Sequence, residues 1–125
     1  DGIHFGDVRE WTFDDGEVLG SYCTQQHWAV IGGTLYLLYN RPSGDNDHVF
    51  RHRAPIFIAA VDPDRLQVIR ATERVAVAEN SAAMGNFGIC QVSENESWVT
   101  VGEGMRTGAR KGDTNKVILA KIVAG

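Results

Sequence analysis

Cysteine is scarce in this chain: Cys23 and Cys90 are the two among 125 residues. They build no disulfide framework and no C-x-x-C metal site. Proline is scarce too, with three residues against fourteen glycines. That balance marks many turns and not a stiff linker. No apolar run approaches the roughly eighteen residues a membrane helix needs. No basic segment followed by an apolar stretch reads as a signal peptide. The expectation is therefore a soluble chain without a membrane partner, its compartment unassigned. Positive charge is in short supply: twelve Lys and Arg against sixteen Asp and Glu leave a net charge of −4. A nucleic-acid binder working by bulk charge is excluded. What is present is an ordinary globular mixture, 43% hydrophobic and 22% charged, with apolar residues spread along the whole length, so no part is disordered by composition. The length allows one ordinary domain and no second. Asp1-Gly2 opens the chain without Met, and the expectation is a mature, trimmed or partial product.

The apolar pattern is strand-like almost throughout. Trp28 to Ile31 is a short apolar run, Gly32-Gly33 is a two-residue hairpin signal, and Leu35 to Tyr39 follows. Pro55 to Val61 is a third run, closed by the turn residues Asp62-Pro63-Asp64, and Leu66 to Ile69 reads as a fourth. Phe87 to Val92, Trp98 to Val101 and Val117 to Val123 form a second series, with Ser93-Glu94-Asn95-Glu96 as a polar turn. Residues Leu66 to Ala78 carry Arg70, Glu73 and Arg74 at helix-compatible spacing. Val68, Ile69, Val75 and Val77 are β-branched, however, and favour strand.

The strands recur in order. Leu35 to Tyr39 corresponds to Trp98 to Gly102, and Pro55 to Asp62 corresponds to Lys116 to Val123. A four-stranded antiparallel unit in tandem is the pattern of β-propeller blades, and a two-sheet β-sandwich is the alternative. The expected fold is all-β: two four-stranded antiparallel propeller blades, the first at about 25–78 and the second at about 85–124. The second copy supplies only three strands, and the alternating segment Ile3 to Phe13 is the candidate for the missing outer strand, at about 1–14. Offset ends of this kind let one terminus complete the blade begun by the other.

Several segments carry a family likeness: Gly20 to Trp28, Asn46 to Pro55, Ala71 to Val75, Gly85-Asn86-Phe87-Gly88, and Glu96 to Val101. On these the chain resembles the C-terminal part of bacterial sialidase-like (BNR/Asp-box) β-propeller proteins, over nearly its whole length. Of the family's Asp-box, roughly Ser-x-Asp-x-Gly-x-x-Trp, only the tail matches, as Gly2-x-x-Phe5. The expectation is a start inside a turn of a longer ancestor. Such propellers have six blades. Two blades leave a bare strand edge on each side, and cyclic closure removes edges. The resemblance therefore implies either an excised fragment or a homotrimer with strand exchange at blade edges.

The densest polar cluster runs from Arg41 to Arg53, between the second and third strands of the first blade. Arg pairs bidentately with carboxylates. A sialidase needs such a clamp for its acidic sugar, plus an acid/base carboxylate and a Tyr nucleophile activated by Glu. The resemblance thus implies Arg41, Arg51, His52 and Arg53 as substrate contacts. Asp45 or Asp47 is the acid/base candidate, with His48 beside it. No Tyr–Glu pair is assignable from Tyr22, Tyr36 and Tyr39. The competing reading is a rim loop held by ion pairs among Asp47, Arg51 and Arg53. Gln26 and His27 enter the first innermost strand and Asn86 enters its counterpart, so all three are further carbohydrate contacts. Strand-capping is the competing role, above all for Asn86 between two glycines.

Four histidines show no metal-binding spacing. Asp45-Asn46-Asp47 lacks the downstream Glu of a calcium loop. Gly102, Gly104 and Gly108 lack a strand-then-helix setting for a nucleotide. No metal and no cofactor are expected. Trp28 and Trp98 are expected in the core, Trp11 in the core or an interface, and both thiols buried. Three functions stay open: a sialidase-type glycoside hydrolase with a composite rim site, a non-catalytic lectin-like propeller module, or an inactive propeller fragment.

Overall fold

A computed structural model describes residues 2–20, 25–80, 83–104 and 116–125. The chain is all-β and antiparallel. Strands β1 (His27–Ile31), β2 (Thr34–Tyr39), β3 (Ile56–Asp62), β4 (Gln67–Val68) and β5 (Arg74–Val77) form the first sheet. Strands β6 (Ala83–Ser93), β7 (Glu96–Gly104) and β8 (Val117–Val123) form the second, in the order β6-β7-β8. Two short 3-10 turns, Phe50–His52 and Arg70–Thr72, interrupt the first half. The region read as helix or strand is thus β4, one 3-10 turn and β5, both strands pairing with β3. No helix among the described residues is long and apolar enough to cross a membrane.

The β1–β2 hairpin depends on its two glycines. Gly32 and Gly33 both have positive φ, 58° and 77°, the conformation a two-residue hairpin turn demands. A side chain on Gly32 would also meet the Ala124 methyl at 2.9 Å. The Gly32 N–H donates to the Glu94 carbonyl, and the Ala124 N–H to the Asn95 carbonyl. The turns of the two sheets are thereby tied together at one end. At the other end the His27 ring meets the Phe87 ring edge-on, 5.0 Å between centroids. Hence β1 and β6, the first strand of each sheet, lie side by side and run the same way.

The sheets face each other across one core. Ala29, Ile31, Leu38, Ile56, Ile58 and Val77 from the first meet Phe87, Val99 and Val101 from the second, all buried. Burying side chains of this size contributes about 1.5–3 kcal/mol each. The opposite face of the first sheet presents Leu37, Tyr39, Phe57, Ala59 and Val61, and Phe13 and Leu19 close over it.

Among the described residues 2–14, no strand forms within the chain, and Thr12 and Phe13 form isolated bridges to Val18 and Val68. The cause is the Asp14-Asp15-Gly16 turn, with Gly16 at φ 88°, which folds the chain back and drops Phe13 onto the first sheet. The repeat is also shifted by one residue at its third strand. Leu38 pairs with Ile58, and its counterpart Val101 pairs with Ile118. Ile58 therefore matches Ile118, not Leu119. A one-residue slip exchanges the buried and exposed faces of a strand. Moreover, Trp28 is 48% exposed, packed edge-on against Trp11 at 5.3 Å. Trp98 is half-buried. Cys90 is exposed and free. Cys23, Tyr22 and Gly108 lie outside the described residues.

Candidate functional site

Strand direction decides which loops meet. β1 begins, β2 ends and β3 begins at one end of the first sheet, with His27 opposite Leu38 and Tyr39 opposite Phe57. β6 begins and β7 ends at that same end of the second, with Met84 opposite Glu103. Residues 25–27, 40–55, 78–80, 83–86 and 103–104 therefore share one rim. All ten residues singled out from sequence, from Gln26 to Asn86 and including Asp45, lie on it.

The 41–55 loop is folded around a buried amide. Asn46 is 1% exposed. Its Nδ2 donates to the carbonyls of Arg41 and Ala54, and its Oδ1 accepts from the Ser43 N–H at 2.9 Å. Asn40 Nδ2 donates to the Pro55 carbonyl at 2.7 Å and closes the neck. Both amides stand in for backbone partners, and Asn46 uses both its donors and its acceptor.

The charged residues divide into two groups. Arg41 is committed inward: Nε and Nη2 grip the Glu73 carboxylate at 2.9 and 2.5 Å, and Nη1 donates to the Pro42 carbonyl. The guanidinium also lies over the Phe57 ring at 4.9 Å. Tyr39, fully buried, donates its hydroxyl to Glu73 Oε2 at 2.5 Å. Burial first, then the Glu73 hydrogen bond and charge, push the Tyr39 hydroxyl well above the usual phenol range. Burial opposes ionisation of Glu73, yet the Arg41 and Tyr39 hydrogen bonds outweigh it and hold the carboxyl low. This Tyr–Glu pair escaped sequence reading because its members stand 34 residues apart. The available signal was Tyr39 and Arg41, two residues apart at the end of β2, and Glu73 just ahead of β5, the strand beyond β3.

The second group faces outward. His52 Nε2 lies 3.2 Å from Asp47 Oδ1, and His48 Nε2 lies 2.5 Å from Glu79 Oε1. Asp47 thus pairs with His52. Arg51 is exposed, its guanidinium 5.1 Å from the Phe50 ring centre, and Arg53 is half-buried. Arg51 and His52 both hold left-handed backbone, φ 56° and 50°. Each costs about 1–3 kcal/mol for a residue with a side chain. Asn86 is exposed where β6 shifts register against β7, between Met84 and Phe87. His27 Nε2 lies 3.4 Å from Gln25 Oε1. Glu103, 5% exposed, also belongs to the rim and accepts from the Lys116 N–H.

No family model, curated protein or solved structure matches this chain. The function must therefore be argued from the rim itself. Under the 41–55 loop lies a cavity of about 240 Å³, lined by Ser43, Asp45, Pro55, Phe57 and Glu79 among others. A larger one, about 430 Å³, lies at the opposite end beside Trp11, Arg65 and Gln67. Among the described residues, no group of three or more His, Cys, Asp or Glu is placed to hold a metal ion.

Proposed function

We propose that this chain is a two-blade unit of a sialidase-like β-propeller, and that its rim binds an acidic carbohydrate without turning it over. The observation that carries this is the pair Arg51–His52. Two consecutive side chains with ring or guanidinium donors occupy backbone that glycine adopts freely. Strain retained at residues able to meet a ligand points to function. Arg51 and Arg53 supply the bidentate donors that suit a sugar carboxylate. His52, Gln26, His27 and Asn86 supply polar contacts around it. Arg41 supports the loop from below through Glu73.

Binding is favoured over hydrolysis by one observation, the state of Tyr39. A sialidase-type reaction needs a tyrosinate nucleophile activated by a glutamate. Tyr39 is fully buried and donates to Glu73. The environment stabilises the neutral phenol, the opposite of activation. Asp47 and His48 remain polar contacts in this reading, not acid and base.

Calorimetry with an α-linked sialoside and a neutral galactoside tests the proposal. The sialoside is expected to bind, the galactoside at least about tenfold more weakly, a difference of about 1.4 kcal/mol. Arg51→Gly should relieve the strained backbone and raise stability by about 0.5–1 kcal/mol while affinity falls. A purely structural Arg51 would show the reverse. If Arg51→Ala and Arg53→Ala leave every sugar affinity unchanged, the rim is not the site. Release of a fluorogenic aglycone would restore the hydrolase reading.

A further inference from the structure

Among the described residues the second sheet has three strands and the first has five, with β4 and β5 together lining the outer edge of β3. Beyond β8, its counterpart, no strand follows among the described residues. β8 alternates exposed and half-buried positions along its length, and Val117, Leu119 and Val123 are 80%, 48% and 62% exposed. A seven-residue edge that is apolar but for Lys121 is a template for another strand. The chain also holds a segment suited to it. Residues 5–10 belong to no strand, and Phe5 and Val8 are 88% and 101% exposed.

We propose that residues 5–10 of a second copy of this chain add antiparallel to β8 as the fourth strand of the second sheet. This rests on the two-blade reading of the fold. One register matches the chemistry. It sets Phe5 opposite Val123, Asp7 opposite Lys121 and the stem of Arg9 on Leu119. Opposite charges placed directly across two strands stabilise the pair. On the other face, Val8 stands against Ala120.

The same copy cannot supply the strand. Trp11 is packed on Trp28 at the β1 edge, and β1 neighbours β6. β8 is the opposite edge of that sheet, two inter-strand spacings away, about 10 Å. Two residues of chain span at most about 7 Å, so Arg9 of the same copy stops short of Leu119. Exchange between copies is head-to-tail, and such contacts close into rings when the rotation allows. Three copies bring six sheets together, and each ring would carry three rims.

Sedimentation equilibrium of the full chain, without sugar, tests this separately from ligand binding. A three-copy assembly is expected. The Glu103 N–H bonds to Lys116, which leaves Val117, Leu119, Lys121 and Val123 as the outward-bonding positions of β8. Arg9→Pro changes an exposed residue and removes the N–H that this register directs at the Leu119 carbonyl; it should return the chain to monomer with unchanged circular dichroism. Asp7→Lys and Lys121→Glu should each weaken association about threefold, and the double reversal should recover it. A monomer at concentrations up to about 1 mM, or an assembly that Arg9→Pro leaves intact, overturns the proposal.

Discussion

The two sheets share one strand pattern and differ in what covers them. The outer face of the first sheet is closed by Phe13 and Leu19, which are 1% and 2% exposed. The corresponding face of the second carries Cys90, Trp98, Thr100, Leu119 and Lys121, exposed or half-buried. There Lys121 Nζ sits 4.8 Å from the Trp98 ring centre, a cation over an aromatic face in place of a packed layer. The difference shows that the strand repeat fixes pairing, while the segments outside it decide burial. Residues 11–19 and the Tyr39–Arg41–Glu73 network make the first sheet two-sided.

That contrast breaks most sharply at Phe13. Phe13→Ala should cost about 3–5 kcal/mol, a large share of the roughly 5–15 kcal/mol that holds a domain together. Thermal or urea unfolding measures it. Next comes Glu73→Gln, which leaves the Arg41 guanidinium without its charge partner. Full burial would make that loss larger, but Arg41 and Glu73 side chains keep 19% and 15% exposure, so about 2 kcal/mol is expected. The smallest effect belongs to the second sheet, where Leu119→Ala should change monomer stability by less than about 0.5 kcal/mol.

The same network sets a pH dependence. Glu73 titrates lower in the folded chain than unfolded, so its contribution is full above the unfolded value and lost as pH falls through the folded one. Unfolding free energy should therefore drop below about pH 4.5. Tyr39 titrates higher when folded, so the unfolded chain ionises first and stability should fall as pH rises past about 10. In Glu73→Gln the acid-side loss should shrink. A curve identical to that of the unaltered chain would remove the network from the account.

Much of this was legible in the residues. Val117–Val123 is β8 to the residue, because β-branched and aliphatic residues run between turns without interruption. The Gly32-Gly33 hairpin and the polar turn at Glu94-Asn95 were equally plain. The rim was legible too, since alternating strand directions send Gln26, Asn86 and the 41–55 loop to one end. Face assignment was not. The bulged register between Ile56 and Phe57 and the slip at the third strand are invisible to a pattern of period two. Nor did sequence show that Phe13, an alternating apolar residue like Ile3 and Phe5, would turn inward while they stay exposed. Arg41 looked like its neighbours Arg51 and Arg53 until Glu73 was seen to face it.

The most direct measurement is an amide shift titration of the isotope-labelled chain with an α-linked sialoside. The account predicts changes confined to residues 25–27, 47–53 and 84–87, leaving Trp11, Arg65 and Gln67 still. No change at millimolar ligand, or changes centred on Trp11 and Gln67 instead, would contradict it.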